Sequence, residues 1–242
     1  MSPLLPAPWL SHLEKHVPIA LEGVDPEGIH QVRVAGRRLR VLMELGGHRA
    51  LVGDLRWLVR ALGRTRDLDV LAEVLAVGPG TDAVAGWLAG LTEDARLEAR
   101  DVLTSARLTG LIQALRTLAP VDEEEARRSL AAFSERVRRA LDTVVDSRLG
   151  GTAQVDAIHA LRRALRRLRY AYDWLEEDAR ALKRLQEALG AMCDLTALSR
   201  LLGELSLAEG VDVSAAQRRL ERAHRQMAAR LLHTPAALSA LR

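Results

Sequence analysis

Cysteine is nearly absent: Cys193 is the only one in 242 residues, so no disulfide can form within the chain. A reducing compartment fits that usage. Aromatic residues make up 3% of the chain against an apolar share of 48%. Sheets draw on β-branched and aromatic side chains, so an Ala- and Leu-dominated sequence favours close-packed helices. Proline is missing between Pro120 and Pro235, which permits long helices there. No segment alternates like a strand, and no apolar run approaches the length of a membrane span. The stretch Met1–Pro6 has no basic region and no long apolar core. No secretory signal is expected, and the cytoplasm is the expected location. Lysine is almost absent as well. Lys15 and Lys183 are the only two, which leaves 33 arginines among 35 cations. The planar guanidinium fork grips oxyanions in pairs, as an ammonium cannot.

The formal net charge of +3 hides a polarised distribution. Acids cluster at Asp122-Glu123-Glu124-Glu125 and at Glu176-Glu177-Asp178. Arginines cluster elsewhere, in a repeat. The run His30-x-x-Arg33-x-x-x-Arg37-Arg38-Leu39-Arg40 recurs as His159-x-x-Arg162-x-x-x-Arg166-Arg167-Leu168-Arg169, every element offset by 129 residues. On a helix, His30, Arg33, Arg37 and Arg40 share an arc of roughly 80°. Val32, Ala35, Leu39 and Leu42 lie opposite. His159, Arg162, Arg166 and Arg169 make the same stripe, backed by Leu161, Ala164, Leu165 and Leu168. No acid lies between Glu27 and Glu44 or between Asp156 and Asp173. Neither stripe is expected to be neutralised within its own helix, which points to an anionic partner carrying many charges.

A second motif follows each stripe. Leu62-Gly63-x-x-x-Asp67-Leu68 matches Leu189-Gly190-x-x-x-Asp194-Leu195 at an offset of 127 residues. The pattern reads as a duplicated half-domain, since solenoid repeats run at about 20–50 residues. Helices are predicted over 9–16, 26–45, 50–76, 81–108 (broken near Gly90), 110–118, 120–148, 155–176, 178–205 and 213–232. Asp25-Pro26-Glu27 supplies a helix start. Gly150-Gly151 marks the expected divide, giving halves of 1–149 and 150–242.

A single charge run is usually a solvated face. Two equivalent runs without acids argue instead for phosphate binding by Arg33, Arg37, Arg40, Arg162, Arg166 and Arg169. Arg38, Arg163 and Arg167 lie at the edge of the stripe, where pairing with acids of neighbouring helices competes. Arg64, Arg66 and Lys183 flank the second motif and are secondary candidates. His30 and His159 read either as phosphate contacts or as interface residues at a helix start. Neither has a His or carboxylate at i+3 or i+4, so no metal site is expected. Asp67 and Asp194 are expected to orient arginines or to close a helix contact at Gly63 and Gly190. No phosphate-cradling Gly-rich loop and no metalloprotease motif occurs, so no cofactor and no catalysis are expected.

The paired stripes, each followed by Leu-Gly-x-x-x-Asp, resemble the conserved histidine α-helical domain (CHAD) family from about Ile29 to the C-terminal helix. The resemblance implies an all-α fold of two antiparallel helical bundles related by a pseudo-two-fold axis, with a central basic groove or pore. It also implies non-catalytic binding of inorganic polyphosphate through His30, Arg33, Arg37, Arg38, Arg40, Arg64, His159, Arg162, Arg163, Arg166, Arg167, Arg169 and Lys183. Targeting to polyphosphate granules and contact with polyphosphate-metabolising enzymes are further implications. Some members carry a fused CYTH triphosphatase domain, for which this chain has no room. Met192-Cys193-Asp194 departs from the usual Asn-Asp pair. A nucleic-acid binder would share the electrostatics. It would also add aromatic platforms or a recognition helix, and the first basic helix has no aromatic residue. A metal-dependent phosphohydrolase, or an accessory to one, would need acids inside the groove.

Overall fold

The computed structural model describes residues 3–75, 82–146, 151–210 and 212–231. Among these the fold is all-α, with ten helices. They are α1 (Ala7–Glu22), α2 (Pro26–Leu45), α3 (Arg49–Ala61), α4 (Gly63–Leu75) and α5 (Asp82–Leu103). There follow α6 (Ala106–Arg116), α7 (Glu123–Val145), α8 (Gly151–Trp174), α9 (Arg180–Glu209) and α10 (Ser214–Leu231). One isolated antiparallel bridge joins Leu4 to Val121. No described helix is long and apolar enough to cross a membrane.

Local chemistry explains most boundaries. The Asp25 side chain accepts a hydrogen bond from the Glu27 N–H at 2.8 Å, with Pro26 at the first helical position, so α2 starts where the sequence predicts. Gly23, at φ 71°, ends α1 in the left-handed region that glycine tolerates. α1 therefore runs past Pro18, beyond the predicted 9–16; the pyrrolidine sits on an exposed face of the helix. The long helix predicted over 81–108 breaks at Thr104-Ser105 rather than near Gly90. Ser105 accepts from the Leu108 N–H at 3.2 Å and caps α6. The helix predicted over 50–76 is two helices, α3 and α4, meeting at Leu62. Its counterpart α9 runs unbroken through Leu189-Gly190. The expected break at Gly78-Pro79-Gly80 and residue Gly150 lie outside the described residues.

The chain separates into two compact units, Met1–Arg127 and Arg128–Arg242. This differs from the divide expected at Gly150-Gly151, because most of α7 belongs to the second unit. Phe133 and Arg136 of α7 share a cavity with Ala160, Arg163 and Arg167 of α8. In the first unit α2 packs against α1 on one side and α3 on the other, and α4 packs on α5. In the second, α9 packs against both α8 and α10. The core of the first unit is built from Leu39, Leu42, Met43, Leu45, Leu55, Leu58, Leu62, Leu68 and Leu71, all fully buried. Val32, Ala35, Leu39 and Leu42 are buried as predicted, and so are Leu161, Leu165 and Leu168.

Candidate functional site

The apolar faces of α2 and α8 anchor each helix in its own unit, so the arginine rows run along the opposite sides. The members of each row then take different roles. Arg33 is 8% exposed and one of its Nη atoms donates to the Val59 carbonyl near the end of α3. The glycine of the Leu-Gly motif makes room for it: a Cβ on Gly63 would lie 3.2 Å from Arg33 Nη1. Arg162 approaches Gly190 in the same way, with Nε and Nη2 at 3.7 Å from the Cβ position. The two repeated motifs are thus one device. The first arginine of each stripe reaches over the glycine of the following motif. What approaches that glycine is a guanidinium, not the helix backbone that the sequence suggests.

The far end of each stripe carries its own acid. Arg40 pairs with Glu44 at 3.4 Å and Arg169 with Asp173 at 4.0 Å, both one turn on and at the same 129-residue offset. This corrects the expectation that neither stripe is neutralised within its helix. Pairing at i,i+4 fixes the guanidinium without removing all of its donors. Arg169 also lies over the Tyr170 ring at 4.9 Å.

His30 opens the first stripe, Arg37 lies two turns on, and Arg66 of α4 comes close to His30. The His30 imidazole is held below its ordinary pKa, first by burial and then by Arg66, with Arg37 and Arg33 adding to the effect and Glu27 opposing it. Arg66, a secondary candidate in the sequence, therefore belongs to this cluster. Arg64 does not; it turns to Glu98 of α5 at 3.6 Å and is half exposed. Lys183 sits exposed on α9. In the second unit the position equivalent to Arg66 is Cys193, so this site lacks one cation that the first unit has. His159 lines a cavity of about 190 Å³ with Asp156, Thr196, Arg200 and Glu204 among its walls. Arg166 is half-buried on α8. The side chain of Asp194 lies outside the description.

Two of the three edge arginines meet aromatic rings. Arg38 lies over Trp9 of α1 at 4.3 Å, and Arg167 lies near Phe133 of α7 at 5.8 Å. Arg136 of α7, also over Phe133 at 5.0 Å, was not legible as a site residue. Its signal is the three-residue spacing from Phe133, which Trp9 and His12 share. Among the described residues no three His, Cys, Asp or Glu side chains converge to hold a metal.

The His30 geometry gives a signed pH effect. A ring held below about 6.5 is neutral at pH 7 in the free protein. A bound anion offsets the repulsion from Arg66 and Arg37 and favours the imidazolium. Binding then takes up a proton, so affinity rises as pH falls from the bound-state pKa to the free-state pKa, and flattens below it. Calorimetry in two buffers of different ionisation enthalpy reads this uptake, which His30→Gln should reduce. Equal uptake in parent and variant would return His30 to a packing role.

A family model described as CHAD domain matches residues 7–203. The crystal structure of the CHAD domain from the plant Ricinus communis superposes with a TM-score of 0.69 at 27% identity, covering 98% of this chain and 88% of that one. PptA from Streptomyces chartreusis superposes with a TM-score of 0.66 at 15% identity, covering 99% of each chain, a likeness of fold. A search of curated proteins gives no match.

Proposed function

The chain belongs to the CHAD domain family, and from that premise we propose that it binds inorganic polyphosphate without cleaving it. The observation that carries this reading is the doubled stripe. Each unit presents a row of arginines on a helix whose other face is locked in the core. A polyphosphate chain offers one charge per residue at short, regular spacing, which suits guanidinium forks placed one helical turn apart. Arg37, Arg40 and Arg66 with His30 supply the contacts in the first unit; Arg162, Arg166 and Arg169 with His159 supply them in the second. Arg33 supports the first row from beneath, and Arg38, Arg163, Arg167, Arg64 and Lys183 stand outside the rows. Polyphosphate granules are the target that such binding would give the protein in a cell.

A single-stranded nucleic acid shares the charge but needs open stacking platforms. The rings of Trp9, Trp57, Phe133 and Tyr170 each lie under a guanidinium, which favours the simple polyanion. In a competition experiment, unlabelled long-chain polyphosphate should displace labelled polyphosphate at far lower phosphate concentration than single-stranded DNA does. Equal potency would overturn the preference. Phosphate release in Mg²⁺ should stay at the buffer background; release above it would make the protein a hydrolase. Arg37→Lys with Arg166→Lys keeps the charge and loses the fork, so binding should weaken while melting is unchanged.

A further inference from the structure

Among the described residues Asp69 of α4 is the only buried acid, with 3% of its side chain exposed. A carboxylate is costly to bury unless positive charge surrounds it. Arg96 of α5 donates to Oδ1 at 3.5 Å, the long limit of a hydrogen bond, from a side chain that is 34% exposed. Oδ2 is buried and meets no hydrogen-bond donor among the described residues. Arg96 therefore covers the charge only in part. Burial pushes the Asp69 carboxyl above its usual range, and Arg96 and then Arg66 pull it back. Arg66 lies three residues before Asp69, on the same side of α4. One turn before Asp69, the Thr65 hydroxyl donates to the Ala95 carbonyl at 2.9 Å and ties this face of α4 to α5.

The charge of Arg66 is felt at Asp69 and also at His30. The acid that His30 feels is Glu27, not Asp69, so Arg66 is the link between the buried carboxylate and the stripe. The second unit shows the same place with that link removed. At the 127-residue offset of the Leu-Gly motif, Arg66 becomes Cys193 and Asp69 becomes Thr196. At the 129-residue offset of the stripe, His30 becomes His159. His159 and Thr196 line one cavity of about 190 Å³. The position of residue 196 therefore lies beside that of the stripe histidine, with open space between them. The two charges are also lost together. Where the cation is missing, so is the buried acid that would hold it.

We propose that Asp69 is a positioning residue: it holds Arg66 beside His30 and so decides where the first unit's additional cation meets polyphosphate. The functional half of this rests on the proposed polyphosphate binding. Arg37 and Arg33 repel Arg66 from the neighbourhood of His30. A long side chain free of any anchor turns away from such repulsion toward water. Asp69 opposes that turn from a buried seam, where salt screens little. Its hydrogen bond goes to Arg96, so it acts on Arg66 through charge. An acid beside a polyanion site weakens binding when it acts directly, because it repels the ligand. Acting through Arg66, Asp69 has the opposite sign, and that makes its role readable.

Two measurements test the anchor, and the first needs no ligand. Imidazole titration by NMR in the free protein follows His30, with His30→Gln identifying its resonance. If Arg66 stays in place regardless, removing the Asp69 charge takes away a negative charge and the His30 pKa falls. If Asp69 holds Arg66, Asp69→Asn releases the guanidinium and the His30 pKa rises. The expected result is a rise, as in Arg66→Ala, with no further rise in the double variant. A fall, no change, or a double variant that shows the sum of both shifts overturns the anchor. Asp69→Thr gives the same test with the residue that the fold already carries at Thr196. The second measurement is polyphosphate affinity at low salt by fluorescence anisotropy. Asp69→Asn should weaken binding about three- to tenfold in the parent and less than about twofold in the Arg66→Ala background. Tighter or unchanged binding in Asp69→Asn overturns the functional half, and equal weakening in both backgrounds makes Asp69 a structural residue only. If the parent does not bind polyphosphate, or Arg66→Ala binds as tightly as the parent, the assignment of Arg66 to polyphosphate fails, while the titration still decides the anchor.

Discussion

Polyphosphate binding should weaken by about 10³-fold when salt rises from about 50 to about 200 mM, the fall expected when six or more phosphates are neutralised. The stripes supply that number. Arg37, Arg40, Arg66, Arg162, Arg166 and Arg169 are six guanidiniums before either histidine is counted. Each phosphate contact releases condensed counterions, and their return to solution is what added salt opposes. The slope on a log–log plot is then diagnostic. Replacing Arg37 and Arg166 together by Ala should lower the slope by about 2, one for each lost contact. Arg64→Ala should leave it unchanged, because that side chain is directed to Glu98. Fluorescence anisotropy with end-labelled polyphosphate at four salt concentrations gives the slopes directly. A slope near zero in the parent would show that the arginine rows are not the binding surface. A slope lowered by Arg64→Ala as much as by Arg37→Ala would place the site on α4 and α5 instead.

Arg33→Met should lower stability by about 2–3 kcal/mol, the cost of losing a buried hydrogen bond made by a charged donor and leaving its acceptor without a replacement. The Val59 carbonyl sits where α3 gives way to α4, so the loss falls on the joint between two helices. The melting temperature should drop by roughly 5–10 °C. Arg37→Met, one turn further along the same stripe, should change stability by no more than about 0.5 kcal/mol. Polyphosphate affinity should divide the other way, nearly intact in Arg33→Met below its melting point and weakened in Arg37→Met. The sequence gives these two arginines the same expected role; thermal melts and binding curves on both variants separate them. Unchanged melting with weakened binding in Arg33→Met would make Arg33 a phosphate contact after all.

The family was legible as a resemblance carried by the two repeated motifs. Ten residues in two compound motifs recur in order, and each pattern places cations on one helical face and leucines on the other. Periodicity is a local property, so it survives without knowledge of neighbours. The buried face was equally legible, and Val32, Leu39, Leu42, Leu161, Leu165 and Leu168 all lie in the core. The start of α2 followed from Asp25 and Pro26 for the same reason, since a helix cap is a contact between residues two or three apart.

What each arginine does with its guanidinium was not legible, because that depends on what stands across from it. Only the packing of α2 against α3 shows that Arg33 is sequestered beside Gly63, and only the approach of α4 brings Arg66 to His30. The acids that temper Arg40 and Arg169 lay just past the end of each run and pair with it through one helical turn. The membership of α7 in the second unit was hidden for a related reason. Its place depends on packing against α8, where the Phe133 ring lies near Arg167, and not on any pattern along α7 itself. The sequence by itself determined an all-α chain, its duplication and the two basic faces, since these are set by composition and by spacing along single helices. Tertiary structure alone decided which cations are latches, which meet a histidine and which surround a cavity, since a long side chain with five donors takes its role from partners supplied by other helices.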